Sequence, residues 1–244
     1  MNLHASKGTR CCPVVELRQY TLKPGRREDL IDVFDRYLVE GQESVGMTVI
    51  GQFRDRRRAD RFVWMRGFPD MESRHKALEA FYDGPVWAAH KDAANDTMLE
   101  FDDVLLLRPA RPDSAFRLDA ATTAGSAPAT VLAGIYRLLA PVDAGLVSRF
   151  EQRVAPILQE DGIRIEGIFQ TEPAPNTFAR LSVREGENVL AWFGIVDRHE
   201  PSNEWLEQLA SRTVLGEQSA TLLCLDPTPR SALGNGSRTA RGPS

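Results

Sequence analysis

Tyr82, Trp87, His90, Lys91 and Asp92 are crowded into one short stretch, FYDGPVWAAHKDAANDTM, residues 81–98. A histidine takes or gives a proton near neutral pH, and a nearby tyrosine can orient an enol or a phenol. With Trp87 as an apolar neighbour, the stretch reads as the mouth of a cavity in which His90 is the acid or base and Tyr82 orients the substrate. The plainer reading puts His90 and Lys91 in water on an amphipathic helix, with Trp87 packed over the end of a sheet. His75 precedes His90 on the same helical stretch. The break at Asp83-Gly84-Pro85 spoils any fixed spacing between them, and no His/Glu set at i, i+3 or i, i+4 accompanies them, so no metal or haem is expected.

A second group stands on segments that read as strands. Arg18 and Tyr20 alternate onto one face of VVELRQYTL, and Trp64 and Arg66 share a face of RFVWMRGF. Buried arginines need partners. Glu16, two residues from Arg18, is placed for a same-face salt bridge; the sharper reading makes Arg18 and Arg66 ligands of an anionic or enolic substrate, with Tyr20 orienting it and Trp64 as a wall. The hairpin RDRRRADR, residues 54–61, is basic enough for phosphate, but its interspersed aspartates favour a solvated loop. Phosphate-cradling glycine loops, a nucleophile elbow and CxxC pairs are absent from the sequence.

The elements that must position these residues repeat. VVELRQYTL has the period of a strand; LKPGRREDLIDVFDRYLVEG carries Leu30, Val33, Phe34, Tyr37 and Leu38 at helical spacing; MTVIGQF and RFVWMRGF form a hairpin; MESRHKALEAFYDG is a helix; VLLLRP closes the unit. Asp83 can cap the next helix, Gly84 turn the chain and Pro85 start it, with Val86, Ala89, Ala93 and Met98 near one face. The order βαββαβ recurs in TVLAGIYRLLA, AGLVSRFEQRVAPIL, IRIEGIFQT, NVLAWFGIVD, SNEWLEQLAS and ATLLCLD. Tyr20 matches Tyr136, Phe34 matches Phe150 and Gly51 matches Gly167 at one offset, 136 − 20 = 116. After the hairpin the offset is 192 − 64 = 128, between Trp64 and Trp192, so the second copy carries a longer loop around EPAPNTFARLSVREG.

The fold class is therefore α+β, two tandem ferredoxin-like repeats that pair their antiparallel sheets as a barrel within one chain. The expected divisions are a first domain over 13–109, a linker over 110–129, a second, diverged domain over 130–227 and a disordered tail over 228–244. In 244 residues, 42% hydrophobic with a net charge of −4, nothing draws the whole chain to nucleic acid or an anionic membrane. No apolar run reaches the roughly 18 residues of a membrane span. MNLHASKGTRCCPVV lacks a signal-peptide core, so a cytoplasmic location is expected, with Cys11, Cys12 and Cys224 as free thiols.

VVELRQYTLKPG, GQF, FVWMRGFPDMESRHKALEAFY and GPVWAAHKDAANDTM…VLLLRP, in that order over Val14 to Pro109, resemble a bacterial member of the NIPSNAP family, in the dimeric α+β barrel superfamily. The second copy keeps the pattern of elements but has SNEWLEQLASRTVLGE in place of the aromatic and histidine stretch. The resemblance implies the barrel fold; relatives in the superfamily include cofactor-free monooxygenases, polyketide cyclases, lactone isomerases and haem enzymes. The expected function is a small-molecule enzyme without an organic cofactor, acting on an aromatic or polyketide-like compound by proton transfer, cyclisation or oxygenation, as in bacterial specialised metabolism. His90, Tyr82 and Tyr20 would be catalytic, and Trp87, Trp64, Arg18, Arg66 and His75 would bind substrate. The alternative is a non-catalytic ligand-binding or protein-interaction module. Its partners would be a small hydrophobic ligand and the pseudo-dimer mate within the chain, with further homodimerisation left open.

Overall fold

The computed structural model describes residues 10–118, 128–196, 201–218 and 220–235. The first module runs β1 (Val14–Leu22), α1 (Arg27–Val33), a π-helical turn (Phe34–Leu38), α2 (Val39–Glu43), β2 (Thr48–Asp55), β3 (Arg61–Phe68), α3 (Met71–Tyr82), α4 (Pro85–Asn95) and β4 (Met98–Pro109). The second runs β5 (Thr130–Leu138), α5 (Ala144–Arg149), a π-helical turn (Phe150–Val154), α6 (Ala155–Glu160), β6 (Ile163–Thr171), β7 (Asn188–Val196), α7 (Asn203–Arg212) and β8 (Thr221–Pro227). The π turn falls at the same repeat position in both copies, closed by Val39 N–H to Phe34 O and by Ala155 N–H to Phe150 O. Shared by both modules, it belongs to the scaffold.

The eight strands close into one barrel in the order β1-β3-β2-β8-β5-β7-β6-β4. The two seams are symmetric: β2 pairs with β8 and β4 pairs with β6, all antiparallel. Strand alternation then assigns the faces. Val15, Leu17, Val63 and Met65 point into the barrel, while Glu16, Arg18, Tyr20, Trp64 and Arg66 point at the helices. At the matching bulges of β2 and β6, Gly51 and Gly167 are required because a Cβ there would overlap the rings of Phe53 and Phe169.

The barrel interior is filled rather than hollow. The Phe116 ring packs 4.6 Å from that of Phe169 and edge-on 5.2 Å from that of Phe193, so the segment assigned to the linker supplies a core residue there. Residues 119–127 of that linker lie outside the described residues, as do 236–244 of the expected tail. The start of the tail is packed: Thr228 N–H donates to Gln52 O, Leu233 N–H donates to Ile50 O, and Leu233 is buried in the barrel core.

Three local expectations are corrected. Gly84, not Asp83, caps α4, and Asp83 ends α3 instead. The inward face of α4 carries Val86, Trp87 and Ala94, whereas Ala89 and Ala93 are exposed. Cys11 and Cys12, expected as free thiols, are joined to each other. Among the described residues no helix is long and apolar enough to cross a membrane.

Candidate functional site

Inside the apolar layer between the first module's sheet and helices lies a group of charges. Glu16 and Arg66 face each other across the β1/β3 ladder, with Arg18 opposite Trp64 two residues along on the same face. Arg74 enters from α3, on the inward stripe it shares with Ala77, Leu78 and Phe81, one turn after Asp70 caps the helix through Ser73 N–H. Glu16, Arg18, Arg66 and Arg74 are each at most 1% exposed.

The carboxylate is saturated by the three guanidiniums. Arg18 Nη1 and Arg66 Nε each donate to Glu16 Oε2 at 2.8 Å, and Arg74 Nε donates to Oε1 at 2.7 Å. Three further guanidinium nitrogens donate to neutral oxygens: Arg18 Nε to Tyr20 Oη at 2.8 Å, Arg66 Nη1 to Gln42 Oε1 at 3.1 Å, and Arg74 Nη1 to Asn176 Oδ1 at 3.0 Å and Thr177 Oγ1 at 3.2 Å. Arg66 Nη2 lies 2.8 Å from Glu16 Oε2 but in a geometry that makes no hydrogen bond, and Arg74 Nη2 and Trp64 Nε1 have no partner among the described residues. Three cations against one anion leave this buried group two positive charges in excess.

Aromatic faces take part of that charge. Arg66 sits over Trp64 at 5.0 Å and over Tyr82 at 5.8 Å, and Arg18 over Trp64 at 5.6 Å. Burial alone would push the Glu16 carboxyl up, but the Arg66, Arg18 and Arg74 guanidiniums outweigh it and hold Glu16 far below the usual carboxylate range. Glu16 is thus a fixed anion, not a base. Burial raises Tyr20, which stays a neutral phenol, and its oxygen accepts from Arg18. Burial lowers Arg74.

The cluster is roofed by the second module. The β6–β7 connection, residues 172–187, is the longer loop read from the sequence, and its tip reaches across the first module. Phe178 is 5% exposed within the first module's apolar layer, stacked on Tyr82 at 5.8 Å. His75 Nδ1 lies 2.7 Å from Thr177 O, and since a carbonyl only accepts, that nitrogen is the donor.

The structure gathers Arg18, Tyr20, Trp64, Arg66 and Tyr82 in this group, with Trp87 beside Tyr82 at 5.0 Å. His75 is exposed and holds the loop from outside. His90 lies apart, half-buried and stacked flat on Tyr37 at 3.8 Å. Arg74, Gln42, Asn176, Thr177 and Phe178 were not legible as site residues: Arg74 and Gln42 sit in stretches that resemble any wet helix, and only the extra loop length pointed to the other three. In the basic hairpin, Arg54 pairs with Glu28, Arg56 with Asp226 and Arg61 with Asp55, which offsets its charge. Among the described residues no group of three or more His, Cys, Asp or Glu is placed to hold a metal.

The second module lacks the cluster altogether. Leu132 stands where Glu16 does, opposite Gly194 in place of Arg66, and Gly134 stands where Arg18 does, opposite Trp192. A Cβ on Gly134 would overlap Trp192 Nε1, so the indole fills the space of the missing guanidinium. Tyr136 remains, its hydroxyl donating to Thr213 O at 2.5 Å.

A closed barrel of two ferredoxin-like halves with helices outside defines a dimeric α+β barrel protein whose two halves share one chain. Residues 15–111 match the NIPSNAP family model, and the first module is a NIPSNAP domain. A NIPSNAP family protein of unknown function from Agrobacterium tumefaciens is 20% identical, covering 43% of this chain and 96% of its own, with a TM-score of 0.39. A NIPSNAP-like domain protein from Burkholderia xenovorans is 21% identical over 41% of this chain and 87% of its own, with a TM-score of 0.38. A candidate monooxygenase from Fusobacterium nucleatum spans both modules, covering 90% of this chain and 94% of its own at 8% identity, with a TM-score of 0.53; at that identity the likeness is one of fold. No curated protein matches the sequence.

Proposed function

We propose that the protein is a small-molecule enzyme whose site is the buried charged group between sheet and helices of the first module, which would open as a cleft to admit its substrate, and that it acts on an aromatic or polyketide-like compound through an enolate or phenolate form. The observation that carries this reading is the excess of buried positive charge around Glu16, present in one module and replaced by Leu132, Gly134 and Gly194 in the other. Buried unpaired charge costs several kcal/mol per ion, and the second module shows that the fold closes without it. A fixed positive field with a phenol donor beside it stabilises an oxygen that becomes negative as a neighbouring carbon loses its proton to solvent water. Tyr20 would donate to that oxygen, Arg66 and Arg74 would supply the field, and Trp64, Tyr82 and Trp87 would hold the apolar part.

A second reading, a ligand-binding module without turnover, is favoured by one feature: Glu16 is held ionised by three arginines and is no proton acceptor. Deuterium uptake separates the two. The protein is incubated in D2O with enolisable aryl ketones and the carbon-bound proton is followed by NMR. Exchange that Tyr20→Phe slows supports the enzyme; binding without exchange supports the module.

A further inference from the structure

Two features of the roof are unusual for a loop. Its tip presents two neutral oxygens, Asn176 Oδ1 and Thr177 Oγ1, to a single guanidinium nitrogen, Arg74 Nη1, while the adjacent Nη2 is fully buried and unpartnered. The next side chain, Phe178, is a benzene ring laid on Tyr82. A pair of oxygens on an arginine followed by an aromatic ring is the outline of an aromatic carboxylate. Resting on the reading of this cleft as a small-molecule site, we infer that the Asn176–Phe178 tip occupies the place of the natural ligand, and that this ligand is an aromatic carboxylic acid bound as its anion.

The charges favour the exchange. Neutral amide and hydroxyl oxygens leave the two excess positive charges uncompensated, whereas a carboxylate compensates one and makes charge-assisted, forked hydrogen bonds with Arg74 that neutral acceptors do not match. The tip has somewhere to go. It is undercut by a groove of about 400 Å³ lined in part by Leu106, Pro173, Asn176 and Val183. Its outer fastening is three contacts at the surface: Arg180 to Asp83 at 2.6 Å, both more than half exposed, the His75 bond to Thr177 O, and a 3.4 Å bond from Thr177 Oγ1 to Met71 O. While the tip is seated, apparent affinity falls by the fraction of molecules in which it is open.

Calorimetry on the full chain tests this with cinnamate, its neutral analogue cinnamamide, and phenyl phosphate. Phe178→Ala empties the ring position without changing Arg74, and Arg180→Ala loosens the tip while keeping the ring, which covers the case in which the first variant does not fold. Either variant is expected to bind cinnamate several-fold to tenfold more tightly than the unaltered protein and at least tenfold more tightly than cinnamamide. Adding Arg74→Gln is expected to erase that discrimination. Equal binding of acid and amide, discrimination that survives Arg74→Gln, or tighter binding of phenyl phosphate overturns the carboxylate assignment while leaving the cleft as a site. Failure of all three compounds to bind either variant overturns the assignment too; enolisable ketones that still exchange in D2O would then preserve the proposed function alone.

Discussion

Glu16 and Arg66 face each other across the β1/β3 ladder with Arg66 Nε 2.8 Å from Glu16 Oε2, and the same pair of positions in the second module holds Leu132 and Gly194. The carboxylate is the negative centre of a group that otherwise repels itself. Glu16→Gln keeps the shape and removes that centre, leaving three buried guanidiniums without an anion. Breaking a buried ion pair from one side costs about 3–5 kcal/mol, so urea unfolding of the variant is expected to show an unfolding free energy lowered by that amount, seen as a lower midpoint with an unchanged slope.

Acid should reach the same site by another route. Glu16 is held far below its ordinary value by its three arginines, a depressed folded-state pKa. The unfolded chain binds the proton first, so the stability from this group is fully present above roughly pH 4, the unfolded carboxyl value, and drains away as the pH falls towards the folded value. Stability measured against pH is expected to decline below that point more steeply in the unaltered protein than in Glu16→Gln, which cannot titrate there. Parallel curves would show that other carboxylates dominate.

The fold was legible because each of its signals is local. Val15 and Leu17 alternate with Glu16 and Arg18, the helices show their stripes, and Tyr20 and Tyr136 lie at the repeat offset, so two modules and their closing into a barrel follow from pattern and from the need to cover a sheet face. Half of the site was legible on the same terms. Strand alternation puts Arg18 with Tyr20 and Trp64 with Arg66, and Glu16 within reach. The other half depends on chain segments far apart in sequence: Arg74 turns inward only because α3 docks where it does, and Phe178 arrives from the other module across 102 residues, the separation of the His75–Thr177 bond beside it. His90 drew attention by residue type, yet the helix rotates it onto Tyr37 rather than towards Tyr20.

The indole that replaces a guanidinium gives a third expectation. Trp192 lies against the bare backbone of Gly134, and a methyl group there would overlap a rigid ring buried on every side. Gly134→Ala is expected to cost about 1–3 kcal/mol by overpacking, read as a lower melting temperature, without changing ligand binding in the first module.

The last expectation separates two candidate proton donors. Tyr20 is buried with its oxygen 2.8 Å from Arg18 Nε, whereas His90 stacks on half-exposed Tyr37 at the outer surface. Tyr20→Phe removes both the donor to a developing oxyanion and the acceptor for a buried guanidinium N–H. It is expected to slow deuterium exchange about a hundredfold and to lower stability by about 1–3 kcal/mol. His90→Ala removes one exposed stacking contact, worth about 0.5–1.5 kcal/mol, and is expected to leave the exchange rate within about twofold. An exchange rate that collapses in His90→Ala and survives Tyr20→Phe would move the chemistry out of the cleft and onto the outer face of α4, where the sequence first drew attention.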